Sequence, residues 1–134
     1  MPGYEMSGKK LVGIVEEVEV TGRESIKTLA VFDSGARMTS IDVRLAARAK
    51  LGPIVKTAKI SNPSLKGQVR RPVVEARIRI HGRIFDALVN IQDREHMTFP
   101  VIIGRNIISG NFIIDTKKNL DIFDKERHAR GKQA

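Results

Sequence analysis

One aspartate stands at the end of an apolar run in Val31-Phe32-Asp33-Ser34-Gly35-Ala36, followed at once by a small hydroxyl residue and a glycine. A carboxylate held on a sharp turn at the edge of the interior can take or give a proton, provided a second acid or a water completes the exchange. The plain alternative is an Asx-turn, in which the side chain accepts a backbone N–H two residues on, and Asp-Ser-Gly supplies such turns often. A second segment shifts the balance towards chemistry. Late in the chain, Val101-Ile102-Ile103-Gly104-Arg105-Asn106 is an apolar strand that breaks at Gly-Arg-Asn.

Other catalytic patterns find little support. The three histidines fall at a hairpin turn (His81), a loop (His96) and a tail (His128), and there is no cysteine, so neither a thiol nucleophile nor a Ser-His-Asp triad is indicated. With no H-E-x-x-H pair and no thiolate, no metal site is expected. The glycines are scattered and follow no phosphate-binding or dinucleotide-binding spacing, so no cofactor is expected.

At Val31 to Ala36 and Val101 to Asn106 the chain resembles the retropepsin family of aspartic proteases. Retropepsin subunits carry an apolar-apolar-Asp-Thr/Ser-Gly-Ala loop and, near the C-terminus, an apolar-apolar-Gly-Arg-Asn strand and turn, and both stand here in that order. The chain is more closely similar to small prokaryotic retropepsin-like proteins labelled ATP-dependent zinc proteases. Their Asp-Thr-Gly-Ala-Arg-Thr-Ser segment resembles Asp33 to Ser40, their Arg-Asp-x-Met-x-Phe-Pro-x-apolar-apolar-Gly-Arg segment resembles Asp93 to Arg105, and their Phe-x-x-Asp resembles Phe112 to Asp115. The resemblance spans residues 11 to 124.

This resemblance implies an all-β, closed retropepsin-like barrel with one short helix, working as a homodimer in which each subunit contributes one aspartate. It assigns Asp33, Ser34 and Gly35 to catalysis. Asp33 and its symmetry mate would activate water, Ser34 would hydrogen-bond across the two-fold axis, and Gly35 would let substrate backbone approach. Ala36 and Arg37 would meet substrate, and Gly104 and Arg105 would support the loop. Three departures stand out. Arg37 replaces an acid usual in the retroviral enzymes, which leaves Arg105 to pair elsewhere, with Asp42 or Asp115. The candidate flap, Ser61 to Pro72, contains one glycine where a glycine-rich tip is usual. The zinc of the prokaryotic label finds no ligand set.

Charge points to the partner. The formal net charge is +9, so the surface attracts anions. Arg37 beside Asp33, with Arg70 and Arg71 in the candidate flap, suggests a cleft for a peptide or acidic protein substrate, since guanidinium pairs bidentately with carboxylate. The prokaryotic relatives are associated with ATP-grasp ligases that add glutamate, which makes glutamate-rich tails an expected substrate. The alternative is a non-catalytic dimeric adaptor or binding module for such a ligase or another anionic partner. Nucleic acid is disfavoured, because the chain has no Trp, one Tyr and five Phe, and Phe32, Phe99, Phe112 and Phe123 lie in apolar runs expected in the core.

The scaffold for these residues reads as strands. Leu11 to Val20, Ile26 to Phe32, Ile54 to Ile60, Val74 to Ile80, Ile84 to Ile91, Phe99 to Ile103, Phe112 to Asp115 and Leu120 to Phe123 are expected strands. Val74, Ala76, Ile78 and Ile80 alternate with charged residues, and His81-Gly82 turns them into a hairpin. One helix is expected over Asp42 to Leu51, with Asp42 as N-cap, and a single helical turn over Arg105 to Ser109. Residues 1–10 read as a flexible leader, 11–124 as the domain, and 125–134 as a basic, frayed tail. No apolar run approaches the roughly 20 residues that span a bilayer. With no signal-like N-terminus and no cysteine, the expected location is the cytoplasm.

Overall fold

Strict alternation in the middle of the chain builds the frame. In a computed structural model, which describes residues 8–61, 68–95 and 97–133, Val74, Ala76, Ile78 and Ile80 are buried while Glu75, Arg77 and Arg79 face outward. The strand that carries them, β6 (Gln68–Ile80), turns at His81 and Gly82, both with positive φ (49° and 78°), into β7 (Arg83–Gln92). A two-residue turn with φ above zero at both positions matches the twist of the strands it joins.

The preceding elements are β1 (Lys10–Gly13), β2 (Val15–Thr21), β3 (Ser25–Phe32), β4 (Thr39–Asp42), helix α1 (Val43–Arg48) and β5 (Ile54–Ser61). After β7 come β8 (Val101–Ile103), α2 (Arg105–Ile108), β9 (Phe112–Asp115) and α3 (Leu120–Gln133). The strand order is β2-β3-β8-β4-β7-β6, and β6 returns to pair with β2 at Glu19↔Arg79, Val20↔Ile78 and Thr21↔Arg77. The return closes a six-stranded barrel and removes the open edges such a sheet would otherwise present. The first half of β6 pairs with β5 instead, from Ile54↔Val74 to Ser61↔Gln68. Of the expected flap, Ser61 to Pro72, the described ends fall in these two strands. Residues 62–67 lie outside the described residues, as do most of the expected leader and His96.

Valines and isoleucines fill the barrel, among them Val18, Val20, Ile41, Ile78, Val89, Val101 and Ile103. β-branched side chains suit a pleated, half-buried surface, which is why these runs take the strand state. Phe112 packs edge-on against Phe32 with ring centroids 5.9 Å apart and tilted against Phe85 at 5.4 Å. Helix α1 turns Leu45 and Ala46 into this core and is capped as expected, the Asp42 carboxylate accepting the Arg44 N–H at 3.0 Å. Among the described residues no helix is long and apolar enough to cross a membrane.

Two of the expected strands differ in the structure, and β4 is not among those expected. Leu11 to Val20 is not one strand. It breaks at Ile14, where the Gly13 N–H turns to the Glu16 carboxylate at 2.6 Å, and β1 leaves the barrel to pair in parallel with β9. Leu120 to Phe123 is not a strand but the start of α3, which continues through residues expected as a frayed tail. The Lys, Glu, Arg and Gln that read as a solvated tail are also good helix formers. Asn119, at φ 64°, turns the chain into the helix and donates to the Val15 carbonyl at 2.7 Å, and Phe123 stacks on Phe99 at 5.7 Å.

Candidate active site

The loop that carries Asp33 joins β3 to β4, two strands that are not neighbours. β8 lies between them, parallel to β3 through Ala30↔Val101 and Phe32↔Ile103 and antiparallel to β4 through Ser40↔Ile102. The loop must therefore pass over the end of β8, where the chain breaks at Gly104. This topology brings the two sequence segments, about 70 residues apart, onto each other.

The contact is made mostly by backbone. Asp33 donates its N–H to the Ile103 carbonyl at 2.9 Å, and the Asp33 carbonyl accepts from Ala36 at 3.1 Å. The N–H groups of Arg105 and Asn106 reach the carbonyls of Ala36 (2.8 Å) and Arg37 (3.2 Å). Gly104 has no room for a side chain. A Cβ there would fall 2.7 Å from the Met38 carbonyl carbon and 2.9 Å from the Ala36 oxygen, both backbone atoms.

Two side chains lock the crossing. Buried Thr39 accepts the Gly104 N–H on Oγ1 at 3.0 Å and donates the same hydroxyl to Asn106 Oδ1 at 2.8 Å. Asn106 also takes the Thr39 N–H at 2.9 Å and sends its amide to the Leu88 carbonyl at 2.8 Å. Neither residue is singled out by the sequence reading, although both stand in the motifs that carry the resemblance. Their signal is the pairing of a β-branched hydroxyl and an amide 67 positions apart.

Asp33, Ser34, Gly35 and Arg37 are exposed and Ala36 is half-buried. Asp33 Oδ1 accepts the Gly35 N–H at 2.8 Å, so the Asx-turn is present. Arg105 pairs neither with Asp42 nor with Asp115. Its Nη1 donates to the Ser34 carbonyl at 3.0 Å. Asp42 is engaged elsewhere, with Arg44 at 2.7 Å and the Arg94 N–H at 2.8 Å, and Asp115 accepts the Lys117 N–H at 2.9 Å. With Arg37 where the retroviral enzymes usually carry an acid, the Arg105 guanidinium donates to a loop carbonyl instead.

Arg70 and Arg71 face opposite ways, as successive residues on a strand must. Arg70 is exposed and donates to Thr57 Oγ1 at 3.3 Å. Arg71 lies on the side of buried Val73, and burial lowers its pKa. Close to it is Arg94, which the sequence reading did not single out. Arg94 is only 6% exposed and donates Nε to the Phe99 carbonyl at 2.9 Å. Burial pulls its pKa below the ordinary value, and Arg71 adds to that effect, while the charges of Asp42 and Asp33 oppose it. Asp33, Arg71 and Arg94 thus share one electrostatic neighbourhood. Among the described residues no three His, Asp or Glu side chains come together as a metal site would require, so the zinc of the prokaryotic label does not fit them.

Solved structures share this architecture. The Legionella pneumophila protein Lpg0085, of unknown function, superposes with a TM-score of 0.55 at 21% identity, over 81% of this chain and 94% of that one. The EIAV protease, solved with the inhibitor HBY-793, gives 0.56 at 19% identity over 70% of this chain and 83% of its own. The protease of simian foamy virus (mac) gives 0.53 at 19% over 70% and 90%. At these identities the likeness establishes the retropepsin-like fold. No curated protein matches the chain. Residues 44–123, which include Arg71, Arg94, Gly104 and Arg105, match the family model described as RimB-like, retropepsin-like aspartic endopeptidase RimB. Barrel, crossing and family match agree, and the chain belongs to the RimB-like family of retropepsin-like aspartic endopeptidases.

Proposed function

We propose that the protein is a retropepsin-type aspartic endopeptidase whose water-activating pair is Asp33 from each of two subunits. The observation that carries this reading is the contrast within one loop. The carbonyls of Asp33, Ser34, Ala36 and Arg37 are all engaged by hydrogen bonds, so the backbone is fixed, yet the Asp33 side chain is left exposed. A rigid loop presenting an exposed acid fits a site that a second copy completes.

Two carboxylates about 3 Å apart, the arrangement known from aspartic proteases, hold one proton between them because both cannot ionise together. The ionised one takes a proton from water, and the protonated one polarises the scissile carbonyl. Ser34 bridges the two loops across the axis, and Gly35 leaves space for substrate backbone. Substrates are acidic or glutamate-rich peptides. Arg37 stands exposed close to Asp33 in the loop, Arg71 and Asp33 both act on Arg94, and the similar prokaryotic proteins are associated with glutamate-adding ATP-grasp ligases.

The bond from Gly35 to Asp33 Oδ1 favours a second reading, a dimeric adaptor for such a ligase or another anionic partner in which Asp33 only shapes a turn. Asp33→Asn separates the two, because asparagine keeps the Oδ1 acceptor and loses the acid. Peptide cleavage followed by mass spectrometry, with sedimentation to give the oligomeric state, is the test. The protease reading expects a dimer whose hydrolysis the substitution abolishes. A monomer, or hydrolysis unchanged in the variant, rules it out.

A further inference from the structure

We propose that Arg94, together with Arg71, is the specificity-determining pair of this site and receives a side-chain carboxylate of the substrate. The inference rests on the reading of the Asp33 loop as the centre of a peptidase for acidic chains, and it assigns the recognition to residues outside that loop.

The way Arg94 is held argues against a merely neutralising role. A buried arginine kept only to balance Asp42 would turn its guanidinium to that carboxylate. Here Asp42 Oδ1 takes the backbone N–H of Arg94 at 2.8 Å, and the side chain runs to the Phe99 carbonyl, bonded through Nε at 2.9 Å. Among the described residues Nε is the one guanidinium nitrogen with a hydrogen bond. A fork fixed at its base in this way is preorganised to offer its terminal nitrogens to a planar anion.

The charge balance points the same way. Asp42 also receives Arg44, which is shared further with Asp93 and Glu95. Burial weighs on both guanidiniums, and the charge of half-buried Arg71 acts on Arg94; Val73, two residues on from Arg71, pairs with Asn90, four residues before Arg94. A buried guanidinium with a second cation beside it gains from a further carboxylate that reaches both. The charge of Asp33 also acts on Arg94, which puts this arginine on the side of the proposed catalytic loop.

Fluorescence anisotropy in the Asp33→Asn background tests this without turnover, using a labelled oligoglutamate peptide and its oligoglutamine counterpart. The background protein is expected to prefer oligoglutamate. Arg94→Met is expected to lower that preference about tenfold, the loss of one charge-assisted contact. Arg71→Met should lower it in the same direction, and it decides the matter if Arg94→Met does not fold. Arg23→Met, which removes an equal charge from an exposed turn, controls for general attraction. A background protein with no preference overturns the acidic-substrate reading and this inference with it. A preference that Arg94→Met and Arg71→Met reduce no more than Arg23→Met does overturns the assignment of these two arginines and leaves the substrate reading standing.

Discussion

Thr39 and Asn106 are joined twice, the Thr39 amide at 2.9 Å and its hydroxyl at 2.8 Å both donating to Asn106 Oδ1. Through this pair of hydrogen bonds the strand leaving the Asp33 loop is fastened to the turn that supports it. Thr39→Val keeps the shape and removes the hydroxyl, leaving the Gly104 N–H without its acceptor. The expected loss is roughly 1–3 kcal/mol, as for a buried donor left unpaired. Urea denaturation measures it, and a variant as stable as the parent contradicts the role given to this hydroxyl.

Gly104 presents a steric case. Because a Cβ would press on the Met38 and Ala36 backbone, Gly104→Ala must move the loop or the strand. Overpacking of this kind costs roughly 1–3 kcal/mol. A drop in Tm together with lost peptidase activity is expected. A variant that melts with the parent contradicts the close crossing.

Arg105 separates activity from stability. Its side chain is exposed and reaches the loop through one bond to the Ser34 carbonyl. Arg105→Met should change stability by no more than about 1.5 kcal/mol, the net value of one hydrogen bond. A misplaced loop should lower kcat/KM by at least about tenfold, because reacting groups tolerate little displacement. Melting curves and progress curves on the same preparation read both. Equal activity in variant and parent would count against any influence of this arginine on the loop.

Acid should weaken the fold through Glu16. Burial alone would push this carboxyl up, but the Gly13 N–H at 2.6 Å, the His81 side chain at 3.0 Å and the nearby Lys118 outweigh it and hold the pKa below the usual 4.5. A carboxylate with a lower pKa folded than unfolded adds stability above its unfolded value and loses it as pH falls through the folded one. Parent and Glu16→Gln should therefore differ at neutral pH and converge in acid. Denaturation curves across that range are the measurement, and a gap that widens on acidification reverses the sign argued here.

Much of the frame was legible because it is written in local alternation. The β6–β7 hairpin needs only Val74 to Ile80 and the His81-Gly82 turn to be read, and the Asp42 cap is equally local. Helix α3 was not legible, since a polar sequence with Phe123 as its aromatic anchor suits a tail as well as a helix. The Asp33 loop and Gly104-Arg105 could be paired from their motifs, but the partner of Arg105 could not, because a backbone carbonyl leaves no trace in sequence. Arg94 was hidden for a similar reason. Its placement depends on Asp42, 52 positions away, and on another carbonyl, so in the sequence it looks like any loop charge.

The turn at Asp33 needs from its side chain only an oxygen facing the Gly35 amide, and aspartate and asparagine offer that oxygen alike. Their codons differ by a single base. On the peptidase reading, a lineage carrying this barrel would fall silent in one mutational step while every strand stays in register, so inheritance of the shape is no record of inherited chemistry.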